Sequence, residues 1–203
     1  ADVREQKAEA LGEVNQMLAQ SVTYFRANQG DVTAAVAEQH GTDEEFLDWW
    51  WERHDLLFGE AATEFQRELV AVWDAAIALA DLQTRPALDT VLFSDDTDEL
   101  EETADGERIT VSVAVQDDVA HRAALYAIDQ SIVTSDTVDL DVTYLPLASL
   151  IEAAPAKQYD VIEATPLAVA QGADQQLDFI VLSGGLESSD GTLLLVRRGP
   201  PGG

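Results

Sequence analysis

Four short stretches of this sequence carry residues that could hold or transform a small molecule. They are Gln116-Asp117-Asp118 with His121 three residues on, Tyr144 ahead of Leu145-Pro146, Glu163-Ala164-Thr165 ahead of Pro166, and Ser183-Gly184-Gly185. Adjacent carboxylates such as Asp117 and Asp118 could serve as general acid and base. Hydroxyls, an amide and an imidazole could orient a polar solute, and paired glycines let a backbone approach it closely. Each stretch also has a plain structural use: Asp117 or Asp118 can cap a helix starting near Val119, Thr165-Pro166 is a good cap and first-turn pair, and Gly184-Gly185 permits a tight bend. Singly, the structural use is the better explanation. Together, on one edge, they are better explained by a binding cleft.

The chemistry open to such a cleft is narrow. His40, His54 and His121 are far apart and lack metal-ligand spacing, and there is no cysteine to supply a thiolate. No nucleophile elbow, phosphate loop or dinucleotide glycine fingerprint occurs. In a chain with 39 acids, neighbouring carboxylates arise by chance. We therefore expect no enzyme, no catalytic residues, no metal and no cofactor, and a site that binds rather than reacts.

Those stretches are positioned by a change in periodicity. In residues 1–93 the apolar side chains recur at helical spacing: Leu11, Val14, Leu18, Val22 and Phe25 form one stripe, and Phe65, Leu69, Val72, Trp73 and Ile77 another between Glu64 and Leu82. Asp31 can cap VTAAVAEQ, and Thr42 with Glu45 makes a capping box for EEFLDWWWERHDLLF. Trp49-Trp50-Trp51 cannot all face one way, since neighbours on a helix sit about 100° apart. Two are expected in the core, with the third covering a neighbouring helix. Residues 94–108, SDDTDELEETADGER, hold eight acids and are expected to form a solvated linker.

From Ile109 the period shortens. ITVSVAV, VDLDVTY, YDVIEA, LDFIVLS and TLLLVRR are β-rich, and AHRAALYAID, LASLIEAA and PLAVAQG between the first four are helical. This alternation predicts an α/β fold with a mostly parallel five-stranded sheet flanked by helices, and the all-helical N-terminal half packed on it. In open sheets of this kind ligands sit outside the carboxyl ends of the strands. Gln116, Asp117, Asp118, His121, Tyr144, Glu163, Thr165, Ser183 and Gly184 all fall there, with Glu163 expected as an exposed rim carboxylate.

At 203 residues, with 46% hydrophobics, the chain has material for one ample core. It has no apolar run of about 18 residues, so no membrane span is expected, and its first residues lack the basic start and apolar centre of a signal peptide. A formal charge of −28 repels nucleic acid and anionic membranes. We take it as a solvated surface of the kind suited to high salt.

Residues 109–198, with ITVSVAVQDDVAHRAALYAID, VDLDVTYLPLASLIEAAPAKQYDVIEATPLAVAQG and LDFIVLSGGLESSDGTLLLVRRG, resemble the amino-terminal lobe of solute-binding proteins of ABC importers, of the nitrate/sulfonate/taurine and thiamine-precursor type. Residues 1–93, with MLAQSVTYFRANQGDVTAAVAEQHGTDEEFL and LVAVWDAAIALADLQTRPALDTVLF, are similar to that family's carboxy-terminal helices. The order is reversed, and no second lobe of roughly a hundred residues separates the segments. The resemblance thus implies a single type II periplasmic-binding-protein-like lobe in circularly permuted order, residues 109–203 providing the βαβ segment. It also implies a small-molecule solute, a periplasmic or extracytoplasmic setting, and an ABC permease or a second lobe as partner. The alternative is an isolated or engineered scaffold lobe with a structural or interaction role and no ligand.

The charge alone makes one prediction. Screening shortens the range of repulsion between surface carboxylates to about 10 Å at 0.1 M salt and less above it, so the melting temperature should climb from low to molar potassium chloride. A flat or falling curve would contradict self-repulsion as a limit on stability.

Overall fold

A computed structural model describes residues 8–56, 63–92, 108–156, 158–174, 182 and 186–188. The N-terminal half supplies helices α1 (Ala8–Ala27), α2 (Gln29–His40), α3 (Glu44–Trp51), α4 (Thr63–Ala78) and α5 (Leu88–Val91). A short strand β1, His54–Leu56, interrupts them. The second half runs β2 (Ile109–Gln116), α6 (Val119–Ala124), α7 (Tyr126–Asp129), β3 (Val138–Leu145), α8 (Leu147–Ala156), β4 (Val161–Ile162), α9 (Pro166–Asp174) and β5 (Leu186–Ser188).

The helix α1 stripe forms as its spacing dictates: Leu11, Val14, Leu18, Val22 and Phe25 are all buried. Its first turns pack with Val111, Val113 and Val115 of β2, Val138 of β3, and Leu125. Its last turns pack with Val32 and Val36 of α2, Leu47 and Trp51 of α3, and Ala120, Ala123 and Ala124 of α6. One helix therefore joins the helical half to the sheet. Ser21 reinforces the joint where the small alanines of α6 let backbones approach, its buried Oγ donating to the carbonyl of Ala124. A third cluster joins Leu69, Trp73 and Ala76 of α4 to Ala170 of α9.

The sheet is parallel with order β3-β2-β4. β2 and β3 pair along their full length, Ile109 opposite Val138 through Gln116 opposite Leu145. β4 pairs only at Val113 with Val161 and Ala114 with Ile162. Among the described residues this sheet has three strands where the sequence predicts five. The expected fourth and fifth strands lie outside the described residues apart from Leu182, as does the expected linker apart from Arg108. Between those two runs Leu186–Ser188 pairs antiparallel with β1, His54 opposite Ser188, as a separate two-stranded sheet.

β1 also corrects the expectation of an all-helical N-terminal half. The helix foreseen from Glu44 to Phe58 stops at Trp51, where Glu52 N–H turns back to Asp48 O and Arg53 N–H to Trp50 O. His54 then stacks on Trp50 with ring centroids 3.9 Å apart. The start of α3 differs as well: Asp43, not Thr42, is the cap, accepting from Phe46 N–H at 3.0 Å. α2 begins at Gln29, which puts Asp31 in its first turn rather than at its cap. Gly41 closes that helix at φ +63°, a conformation that costs glycine little.

All four tryptophans lie in the N-terminal half, while Leu11 packs on the sheet. If α1 couples the halves, Leu11→Ala should lower the unfolding free energy reported by tryptophan fluorescence in urea by about 2–5 kcal/mol, and Phe25→Ala should do the same. A tryptophan transition unmoved by Leu11→Ala would mean that the two halves unfold separately.

Candidate functional site

β2 hands over to α6 at the carboxyl edge of the sheet. Asp118 caps α6, its Oδ1 accepting from the backbone N–H of His121 at 3.0 Å and from His121 Nδ1 at 2.8 Å. The other ring nitrogen, Nε2, lies 3.2 Å from Glu163 Oε2 at the end of β4. Burial pushes the imidazole pKa down, but the hydrogen bonds and charges of Asp118 and Glu163 outweigh it and raise the value to about 9. Asp118 answers in kind: burial raises its pKa, yet the bonds from His121 hold it below the ordinary value. At neutral pH the ring is thus an imidazolium donating from both nitrogens.

Glu163 is more than a rim group, and its side chain is only 31% exposed. Its backbone N–H donates to Ala114 O at 2.8 Å, and its Oε2 accepts from Gln116 N–H at 2.6 Å. Beyond Ile162 the chain turns away, so the carboxylate takes over as acceptor where the strand ends. Asp160 does the same at the other end of β4: its Oδ2 accepts from Ser112 N–H and Oγ at 2.9 and 2.8 Å. Two carboxylates therefore bracket a two-residue strand, and losing either orphans a partly buried N–H at a cost on the order of 1–3 kcal/mol. The exposed rim carboxylate expected from sequence is a strut, because β4 is too short to complete the ladder itself.

A second chain of contacts lies beside the first. Arg122 donates from Nε to Asp117 Oδ1 at 3.0 Å, and its Nη2 lies at 3.0 Å from the same oxygen in an ion pair. Its guanidinium sits 3.4 Å from the centre of the Tyr144 ring. Tyr144 donates its hydroxyl to Asp129 Oδ2 at 2.6 Å. Burial and the Asp129 carboxylate push the phenol well above its usual range. Asp129 is raised by burial against the pull of Tyr144 and Arg122.

Six of the nine sequence-predicted residues thus meet: Gln116 through its backbone N–H, and Asp117, Asp118, His121, Tyr144 and Glu163 through their side chains. Thr165 stands apart as the cap of α9, its Oγ1 accepting from Ala168 N–H at 3.2 Å. Ser183 and Gly184 lie outside the described residues. Asp129 was not foreseen, since it sits 15 residues before Tyr144 with no local pattern to link them. Four carboxyl groups face two cations here, so the edge is net acidic. Among the described residues no group of three or more His, Cys, Asp or Glu is arranged to hold a metal, and no helix is long and apolar enough to cross a membrane.

No protein-family model, curated protein or solved structure matches this chain.

The raised histidine ties stability to pH. Its contribution is fully present below the ordinary value of 6.5 and is lost as pH rises through about 9; at 1.36 kcal/mol per unit it amounts to roughly 3 kcal/mol. Urea midpoints between pH 6 and 10 should fall for the wild type more than for His121→Gln. Parallel curves would show that the imidazolium is not held by its two carboxylates.

Proposed function

We propose that this chain is a solute-binding lobe of the kind used by ABC importers, in permuted order, with its ligand edge at the carboxyl ends of β2, β3 and β4. What supports this is the convergence there of Gln116, Asp117, Asp118, His121, Tyr144 and Glu163. Open parallel sheets bind ligands at that edge. The surplus of carboxylates favours a small organic solute bearing an amine or another positive charge over an anion. Half a cleft encloses less of a ligand than the 70–90% or more of a closed pocket, so affinity belongs on the order of 1 mM. The setting that goes with this reading is extracytoplasmic, with a permease or a second lobe completing the site.

One observation favours a second reading, a scaffold lobe without a ligand. The edge groups already satisfy one another: Glu163 serves Gln116 and His121, and Arg122 serves Asp117 and Tyr144.

A panel of aminopyrimidines, polyamines, taurine and nitrate, screened by thermal shift and by 15N-resolved NMR, separates the two. The binding reading expects an amine-bearing member to move the Asp117, His121 and Tyr144 signals saturably at millimolar concentration. Silence across the panel at that edge would leave the scaffold.

A further inference from the structure

The tryptophan run of α3 points to a second surface, formed by other residues than the sheet edge. Leu47 and Trp51 anchor the helix in the core, and Trp50 packs half-buried against them. Phe46 and Trp49 do not join them: they are 50% and 49% exposed, with rings stacked at 5.8 Å. Two large aromatics held together in water contribute little to the fold and form the kind of apolar patch that marks a contact site. The rim is acidic, with Asp43, Glu44, Glu45, Asp48 and Glu52 all exposed within ten residues of chain. Arg53 lies 4.4 Å over the Trp49 ring and pairs with Glu52 at 3.3 Å. The face thus already holds one guanidinium between an indole and a carboxylate.

We propose that the Phe46–Trp49 face of α3 is a docking site for a basic segment of a partner protein in which arginines alternate with apolar side chains. Apolar residues cover the two rings while guanidiniums meet the surrounding carboxylates and the open aromatic surface. The same charge argues against other occupants. A second copy would bring its own five carboxylates against these, and nucleic acid or an anionic membrane is repelled by both rim and net charge.

The test titrates a short peptide of alternating arginine and leucine into the full chain at low ionic strength, followed by calorimetry and by the indole N–H signal of Trp49. Saturable binding that moves this signal is expected. Phe46→Ala and Trp49→Ala should each weaken it about tenfold with unchanged urea midpoints. Asp48→Lys should weaken it too and flatten its salt dependence, and this exposed substitution carries the test if an aromatic variant fails to fold. Any of four results overturns the proposal: no binding; equal binding of an arginine–serine peptide, which would reveal charge alone; unchanged affinity in the variants; or concentration-dependent self-association abolished by Trp49→Ala, which would make a second copy the occupant.

Discussion

Burial of one helical stripe is the constraint on which the rest of this structure depends. Leu11, Val14 and Leu18 are covered by sheet residues, while Val22 and Phe25, on the same stripe, are covered by α2, α3 and α6. Neither half can shed α1 without exposing a large part of its own core. At about 25 cal/mol per Å² of apolar surface, five such side chains outweigh any polar contact described above. The sheet edge is therefore positioned from below: α6, which carries His121 and Arg122, is seated against the last turns of α1 through Ala120, Ala123 and Ala124. The site's geometry is inherited from a helix that contributes nothing to its chemistry.

What the sequence made legible follows the range of each interaction. The α1 stripe and the β-rich runs of β2 and β3 are local signals, and both appear in the fold. Asp118 and Thr165 were identifiable as caps because a cap acts within three residues. β1 was not legible, because its strand character comes from pairing with Leu186–Ser188, more than a hundred residues away, and not from its own residues. Nor were the partners of Tyr144. A ring that meets Arg122 on one side and Asp129 at its hydroxyl is assembled by the β2–β3 crossover, which no spacing rule encodes. Glu163 was placed at the correct edge, but its bond to Gln116 N–H and its pairing with His121 were not legible, since they arise because β4 ends after two residues.

In so acidic a chain two of the few cations act at strand joints. Arg108 pairs with Asp139 at 2.8 Å and also donates to the carbonyls of Ser135 and Val138, tying the start of β2 to the entry of β3. Arg122 tethers the opposite end of the same strand pair. Asp139 and Asp141 meanwhile stay exposed on β3, an edge strand in the described sheet, where charge discourages pairing with another chain. Two arginines thus sit where the β2–β3 pair must be held in register, one at each end.

The edge itself divides into two layers that differ in how a solute could use them. The inner layer, Asp118–His121–Glu163, is a charged relay closed at both ends by backbone N–H groups, and its imidazolium is 15% exposed. Displacing any member strands a buried charge or an N–H, and a weak ligand has no interaction strong enough to offset that. The outer layer, Asp117–Arg122–Tyr144–Asp129, is different. Asp117 is 41% exposed, and an amine could replace or share the Arg122 contact at little cost in solvent-screened surroundings. The two layers therefore differ in their structural duty: the inner three hold β4 and α6 against β2, while the outer four link α6 and α7 to β3 nearer the surface. On the binding reading proposed above, the outer layer is the part of the edge that an amine-bearing solute could reach without breaking the contacts that hold β4.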